Sequence, residues 1–443
     1  MKIQLSDHFT YQRLLHFCLP SIVMMIFTSI YGVVDGLFVS NFVGKIPFAA
    51  INLVMPFIMI LGGFGFMIGT GGSALIAKTL GEGRHELANR YFSMLIIMTV
   101  ILGLILTTIG IVFAHRVSIL LGATDVMLDD CVIYLRTVLL FISPFMLQNV
   151  FQSFLVTAQK PHAGLIVTII AGLTNMSLDA LFIVVFRWGV AGAALATGIS
   201  QCIGGLLPLI LFLGKNDSLL HLVPTRLEWR PFFLSCTNGM SELMGNISSS
   251  IVSMLYNFQL LNYAGENGIA AYGVLMYVQF IFIAVFFGYT IGVGPVIGYH
   301  YGAGNHAELK NLLRKSLKLN IITGISMTIL ANLFAGALSR IFVGYDPELY
   351  TMTKSAFHIF ALSFLVCGIN IFASAFFTAL NNGLVSAVIS FLRTLVFQVG
   401  SVLILPAFLG LTGIWLSNTF ADLMAMLISI IFLAAMRKRY HYA

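Results

Sequence analysis

Four oxygen-bearing side chains lie inside apolar stretches of the amino-terminal half of the chain: Asp35, Asn175, Asp179 and Thr197. A carboxylate in hydrocarbon is unfavourable unless it is paired, protonated or facing water, so it marks a functional site by default. Two carboxylates, an amide and a hydroxyl suit a proton or a hard cation such as Na⁺. These residues predict a cation site, provided that the fold brings them together.

The stretches that carry these residues have the length of membrane helices. Of 443 residues, 59% are hydrophobic and 9% are charged, against about 25% charged in soluble domains. The apolar blocks run for about twenty residues or more, whereas a membrane β-barrel alternates over about ten. The sequence predicts an all-α polytopic membrane protein with twelve spans, near 13–40, 48–77, 89–114, 129–157, 162–186, 189–213, 231–263, 269–298, 311–337, 350–379, 384–406 and 411–436.

The chain divides into two similar halves. A hydrophilic connection predicts an amino-terminal six-helix lobe at 1–214, a cytoplasmic linker at 215–230 and a carboxy-terminal six-helix lobe at 231–443. Many residues recur at a spacing of 221, among them Asn149 with Asn370, Ser153 with Ser374, Gly71 with Gly292, and Gly189 with Gly410. Because six spans is an even number, the two copies enter the membrane in the same orientation, as parallel repeats.

The positive charges predict the orientation. An even number of spans places both termini on one side, and lysines and arginines such as Arg84, Arg314 and Arg437 concentrate on that side. By the positive-inside rule both termini are cytoplasmic. We expect a multi-pass protein of the plasma membrane.

The four polar residues are specific to the amino-terminal half and share one depth. At the spacing of the repeat, Asp35 corresponds to Tyr256, Asn175 to Val396, Asp179 to Gly400 and Thr197 to Asn418. Counted along the spans at 1.5 Å per residue, Asp35, Asp179 and Thr197 lie about 7 to 12 Å below the outer boundary. Asn175 is one helical turn from Asp179 on the same face. The alternative is a structural pair of acids that share a proton or fix helix packing.

At this point the chain resembles the multidrug and toxic compound extrusion (MATE) transporters over essentially its whole length. The resemblance rests on the two lobes, on the turn 81–84 echoed at 302–305, and on the segments 31–35 and 175–179. It implies a secondary antiporter that exports organic, often cationic compounds against inward H⁺ or Na⁺. It also implies that Asp35, Asn175, Asp179 and Thr197 form the cation site, and that Pro20 is the hinge at which the first helix bends.

The carboxy-terminal half carries its own charges inside spans: Glu242, Arg393 and Asp422. By depth, Arg393 can reach either acid. A structural pair is one interpretation, because an unpaired arginine is poorly tolerated there. The other is a second coupling site, since some relatives of the resembled family carry coupling acids in this lobe.

Further polar residues are candidates for a cavity lining. Asn149, Ser153 and Thr157 recur every four residues, as do Asn370, Ser374 and Thr378, so each set forms one polar stripe on its helix. The stripes either line a central path or join helices by hydrogen bonds. Gln148 and Gln279 are further candidates for the cavity.

Other functions find less support. The five cysteines have no Cys-x-x-Cys spacing, and the basic residues form no nucleic-acid-binding pattern. An intramembrane enzyme would need a nucleophile and base at one depth, which the spans do not offer. A lipid or lipid-linked saccharide flippase is the alternative, although it would need a strongly basic cavity. We expect a monomeric transporter of small organic cations within the lipid bilayer, without a cofactor beyond its coupling ion.

Overall fold

The computed structural model describes residues 3–214 and 217–442, and every regular element in them is helical. In chain order the helices are α1 (Tyr11–Phe42), α2 (Lys45–Gly81), α3 (His85–Leu120), α4 (Leu128–Leu139), α5 (Ile142–Thr157), α6 (Pro161–Asp179), α7 (Gly189–Leu213), α8 (Trp229–Asn238), α9 (Met240–Gly302), α10 (His306–Val343), α11 (Pro347–Phe360), α12 (Phe364–Ala379), α13 (Gly383–Phe391), α14 (Gln398–Ala435) and α15 (Arg437–Tyr440). Two π-helical turns, Ala180–Val185 and Leu392–Phe397, extend α6 and α13.

These helices account for the twelve predicted spans. The 63 residues of α9 contain two helices that meet at Gly265, and α14 likewise contains two that meet at Gly410. At both glycines the backbone leaves the helical region, with φ near +60°. Helices α4 and α5 together form one bent span. The all-α, two-lobed membrane fold predicted from the sequence is confirmed.

The fourth span is bent, which the apolar block at 129–157 did not indicate. Helices α4 and α5 meet at an angle of 57°. Pro144 lies in the first turn of α5. Its ring clashes with the carbonyl four residues earlier, and it has no N–H to bond it, so a straight helix across this point is disfavoured. The proline therefore explains why this span consists of two helices.

The backbone repeats with the same period as the sequence. Glycines with positive φ occur at matching places in the turns of the two halves: Gly44 with Gly265, Gly83 with Gly304, and Gly189 with Gly410. Side chains with a Cβ rarely adopt this conformation, so glycine is required at these turns. The boundaries of the two lobes stay a prediction, and residues 215 and 216 of the predicted linker lie outside the described residues.

The two halves contact each other at the end of the bundle that holds both termini. In α2, Gly81 packs against the backbone of Tyr299, and Gly71 packs against Ser235 in α8. The Asn381 Nδ2–H₂ donates to the Ala74 carbonyl across the same interface at 3.1 Å. Glycine permits this close backbone approach, as is common between membrane helices. We call this region the closed end.

Helix α1 contacts both halves. Near its start, the backbone of Cys18 packs against Gly292 of α9, and farther along Phe27 packs against Gly172 of α6. The helix is a single element from Tyr11 to Phe42 with Pro20 inside it. Bending at Pro20 stays a prediction.

Candidate functional site

The structure brings Asp35, Asn175 and Asp179 together in the amino-terminal half, and Thr197 lies beside Tyr134, which borders them. Asp35 is on α1, Asn175 and Asp179 are on α6, and Thr197 is on α7. The Asp35 carboxyl group lies within interaction range of both Asn175 and Asp179. Asp179 is 0% exposed and Asn175 is 2% exposed. Helices α1 and α6 therefore present oxygen-bearing side chains to one buried point, with Thr197 of α7 nearby.

Several buried oxygens of this cluster lack hydrogen-bond partners. Among the buried atoms without one are Oδ1 of Asp35, Oδ1 of Asn175, both carboxylate oxygens of Asp179 and Oγ1 of Thr197. No described lysine or arginine forms an ion pair with either aspartate. Buried polar atoms are normally satisfied, and exceptions call for an explanation. Protons shared between the carboxyl groups, or a cation held by these oxygens, would satisfy them.

A π-helical turn follows Asp179 directly. The turn Ala180–Val185 widens the last part of this span. Insertions of this kind occur frequently at functional sites, because they redirect side chains without breaking the helix. Here the irregularity begins at the residue after the aspartate that is completely buried.

Two tyrosines also border the cluster. Tyr134 of α4 lies within interaction range of Asp35, Asp179 and Thr197. Tyr31 of α1 lies within reach of the Gln148 side chain and near Asp35. Tyr134 was not predicted as a site residue. A signal existed in the sequence, since the repeat places Ser355 at the corresponding position.

The matching place in the carboxy-terminal half is closed by neutral hydrogen bonds. Tyr256 and Asn418, which correspond to Asp35 and Thr197, are both held by Gln398. Its Nε2–H₂ donates to the Tyr256 hydroxyl at 3.1 Å and to Asn418 Oδ1 at 2.9 Å. The same scaffold therefore carries a satisfied neutral network in one half and unsatisfied acids in the other.

The structure pairs Arg393 with Asp422 in the carboxy-terminal half. The Arg393 Nε–H donates to Asp422 Oδ1 at 2.7 Å. Asn370 Nδ2–H₂ donates to the Asp422 carbonyl at 2.8 Å, and Ser429 donates to Asn370 Oδ1 at 3.2 Å. Glu242 is not in an ion pair with Arg393 among the described residues. Of the two pairings open to Arg393, the one with Asp422 is observed.

The polar stripes serve mainly to join helices. Asn149 Nδ2–H₂ donates to the Gly62 carbonyl of α2 at 3.0 Å. Ser374 lies 2.9 Å from the Ser386 hydroxyl of α13. Ser153 is buried at 4% exposure. For Asn149, Asn370 and Ser374 these contacts favour the packing interpretation over the cavity lining.

Three glutamines differ from the stripes. Gln148, Gln152 and Gln201 are each 6% or 7% exposed, and the Oε1 atom of each lacks a hydrogen-bond partner. All three are in the amino-terminal half, on α5 and α7. Gln279 is half-buried on α9 in the other half. Gln148, with its unsatisfied carbonyl, lies within reach of Tyr31, which borders the acidic cluster.

Comparison with known proteins identifies the family. The MatE family model matches residues 20–181 and again residues 243–404, once in each half. The chain belongs to the MatE family. It is a multi-pass membrane transporter, not an enzyme, as the sequence predicted. The double match of this MatE protein also agrees with its internal repeat.

Known relatives resemble this MatE protein along its whole length. The multidrug export protein MepA of Staphylococcus haemolyticus is 25% identical over 436 residues, which cover 97% of this chain and 94% of that protein. A crystal structure of MATE in complex with MaL6 has a TM-score of 0.93 at 21% identity and 98% coverage of each chain. An outward-facing conformation of a multidrug resistance MATE family transporter of the MOP superfamily has a TM-score of 0.92 at 21% identity, again with 98% coverage of each chain.

Proposed function

We propose that this protein is a multidrug exporter of the plasma membrane that exchanges small organic cations for H⁺ or Na⁺. The observation that carries the proposal is the cluster around Asp35 and Asp179, whose buried oxygens lack partners and whose counterparts in the other half are neutral. Both termini are cytoplasmic in this proposal, so the closed end faces the cytoplasm.

The cluster can bind either coupling ion. A proton shared by Asp35 and Asp179 removes the repulsion between two carboxylates in a medium of low dielectric constant. For Na⁺, the Asn175 amide oxygen and the Thr197 hydroxyl add two neutral ligands to the carboxylates. Within the described residues no group of three acidic, histidine or cysteine side chains could hold a metal ion. The ligand set therefore suits a monovalent cation better than a divalent one.

Loading of the cluster can alter the packing of the amino-terminal lobe. Asp35 is on α1 and Asp179 is on α6, so repulsion between unloaded carboxylates acts between two packed helices. A cation that neutralises them favours closer packing of these helices. A ligand shifts a conformational equilibrium by its difference in affinity for the two states. Loading at the cluster thereby changes the relative stability of the outward-open and inward-open states.

The lining of the amino-terminal lobe favours a cationic substrate. It presents the unsatisfied amide carbonyls of Gln148, Gln152 and Gln201, whose oxygens carry partial negative charge, while the two carboxyl groups serve the coupling ion. All of these oxygens accept hydrogen bonds. The flippase alternative would require basic groups for a pyrophosphate, but the intramembrane Arg393 is bound to Asp422.

Transport into proteoliposomes tests this function. Purified protein is reconstituted, and ethidium, a fluorescent organic cation, is followed under an imposed H⁺ gradient, an imposed Na⁺ gradient, or neither. We expect one gradient to drive ethidium against its own gradient at least tenfold faster than leak into protein-free vesicles. Ethidium movement that is indifferent to both gradients would exclude antiport.

A further inference from the structure

The segment that precedes α1 is docked on the opposite half of the molecule. Residues 3–10 lead into the helix that carries Asp35, yet Leu5 and Phe9 are 0% exposed. They belong to the same buried apolar cluster as Leu309 of α10 and Phe376 of α12. Side chains at the start of the chain thus complete the core of the carboxy-terminal half.

Side chains of α10 bind the peptide unit of Phe9 from both sides. The Phe9 N–H donates to Glu308 Oε1 at 3.0 Å. The Phe9 carbonyl accepts hydrogen bonds from Asn311 Nδ2 at 3.1 Å and from Lys315 Nζ at 2.6 Å. The Nδ1 atom of His8 lies 2.6 Å from Glu308 Oε2. Four polar contacts therefore fix two consecutive residues of the segment.

The binding residues of α10 also contact one another. Glu308, Asn311 and Lys315 follow one another at intervals of three and four, so they share one face of the helix. Asn311 donates to Glu308 Oε1 at 2.8 Å, and Asn305 caps the Glu308 N–H at 3.1 Å. The acceptor that binds Phe9 is thereby held in position by its own helix.

The docked segment lies at the closed end, where the two halves already contact each other. The α1 helix that follows it packs through Phe27 on Gly172 of α6, in the amino-terminal half. The segment therefore connects a helix of one half to α10 of the other. Separation of the two halves at this end would therefore strain the hydrogen bonds between Phe9 and α10. The His8 side chain is 66% exposed, so water can replace its contact with Glu308.

We propose that residues 3–10 form a latch that stabilises the state closed at this end and detaches when the two halves part there. The buried side chains of Leu5 and Phe9 anchor the segment by apolar packing, and Glu308 positions it through its hydrogen bond with the Phe9 N–H. The latch rests on the alternating-access part of the proposed function, but it does not depend on the acidic cluster. It adds an element to the cycle at the opposite end of α1 from Asp35.

Locking the latch tests whether it must open. His8→Cys and Glu308→Cys are combined and joined with a short bifunctional maleimide or by oxidation, and the two single variants receive the same treatment as controls. We expect ethidium transport by the linked double variant to fall at least tenfold and, for the disulfide, to recover on reduction. Complete linking with unchanged transport would show that the segment never detaches, and would overturn the latch.

Loosening the latch gives a second, independent measurement. In an Ala74→Cys background, maleimide labelling at position 74 reports opening, because this buried residue of α2 lies at the interface between the halves. Peptide mass spectrometry separates this position from the five native cysteines. We expect maleimide to label the cysteine at position 74 about three- to tenfold faster when Glu308→Ala is added to this background. The control Glu86→Gln, an exposed acid in the first turn of α3, should label at the unmodified rate.

Equal labelling rates in the two variants would contradict the latch. The labelling is read without substrate and without a cation gradient. A failure of cation coupling would leave this measurement unaffected, so the two proposals fail separately.

Discussion

The guanidinium of Arg393 donates from Nε to Oδ1 of Asp422 at 2.7 Å, between two spans of the carboxy-terminal half. Their side chains are 17% and 4% exposed. The pair neutralises two charges that would otherwise be unpaired inside this half. The amino-terminal half, in contrast, carries acids without a basic partner.

Breaking this ion pair on one side should destabilise the fold. Arg393→Met leaves a buried carboxylate without its partner, a change that typically costs about 3–5 kcal/mol. We expect a clear fall in the midpoint of thermal unfolding in detergent. Arg393→Met with Asp422→Leu should recover much of the loss, because an apolar pair of similar volume removes both charges.

A surface ion pair serves as the control for this measurement. Lys78 and Glu82 lie 3.9 Å apart at adjacent turns and are partly exposed. Lys78→Met should cost no more than about 0.5 kcal/mol. If Arg393→Met proves as mild as this control, the buried pair has no structural role.

The close approach of the two halves should depend on Gly81. A methyl group at this position would meet the backbone carbonyl of Tyr299. Gly81→Ala should therefore favour opening at the closed end and speed maleimide labelling at position 74 several-fold. Gly294→Ala is the matched control, since nothing lies within 4 Å of a Cβ there. The interface is not the closing surface if both variants label alike.

Tyr134 should tune the cation site. Its side chain lies within interaction range of Thr197 and of both aspartates, and a hydrogen bond that its hydroxyl donates to the ion-loaded cluster would be worth about 1 kcal/mol. Tyr134→Phe should therefore weaken the apparent affinity for the coupling ion by about fivefold, with the unfolding temperature nearly unchanged. The concentration of H⁺ or Na⁺ that gives half-maximal transport measures this. Tyr345→Phe, at a residue that is 81% exposed, should have no effect; an equal shift in both variants would remove Tyr134 from the site.

Much of the fold follows from composition and period. Apolar blocks of helical length mark the spans, and the recurrence at 221 residues marks the two halves, whose turns share glycines such as Gly83 and Gly304 with positive φ. The bend between α4 and α5 was not foreseen, although Pro144 supplies its cause. An apolar block gives the length of a span but not its straightness.

The candidate site was predictable in outline because alignment of the two halves shows which polar residues occur in only one of them. Asp35 and Asp179 stand out against Tyr256 and Gly400, and the topology gives them a common depth. Which acid pairs with Arg393 could not be predicted, since depth allowed both Glu242 and Asp422. Side-chain direction on the helices decides between them.

Contacts between distant parts of the chain were the least predictable. The hydrogen bond between Phe9 and Glu308 joins residues 299 positions apart. Each residue lies in a segment that looks like an ordinary end of a membrane helix, so the sequence does not indicate their contact. The π-helical turn after Asp179 also has no composition that separates it from a regular helix. Such features depend on tertiary packing, which a single sequence does not display.

The acidic cluster is the central claim, and one comparison tests it most directly. Asp35→Asn and Asp179→Asn are reconstituted beside Asp129→Asn, an exposed acid near the start of α4, and ethidium transport is driven by the gradient that serves the unmodified protein. Ethidium binding in detergent is measured in parallel to show that the cavity is intact. We expect the two cluster variants to retain binding and to lose at least tenfold of gradient-driven transport, while Asp129→Asn transports normally. Undiminished gradient-driven transport in both cluster variants would contradict the account.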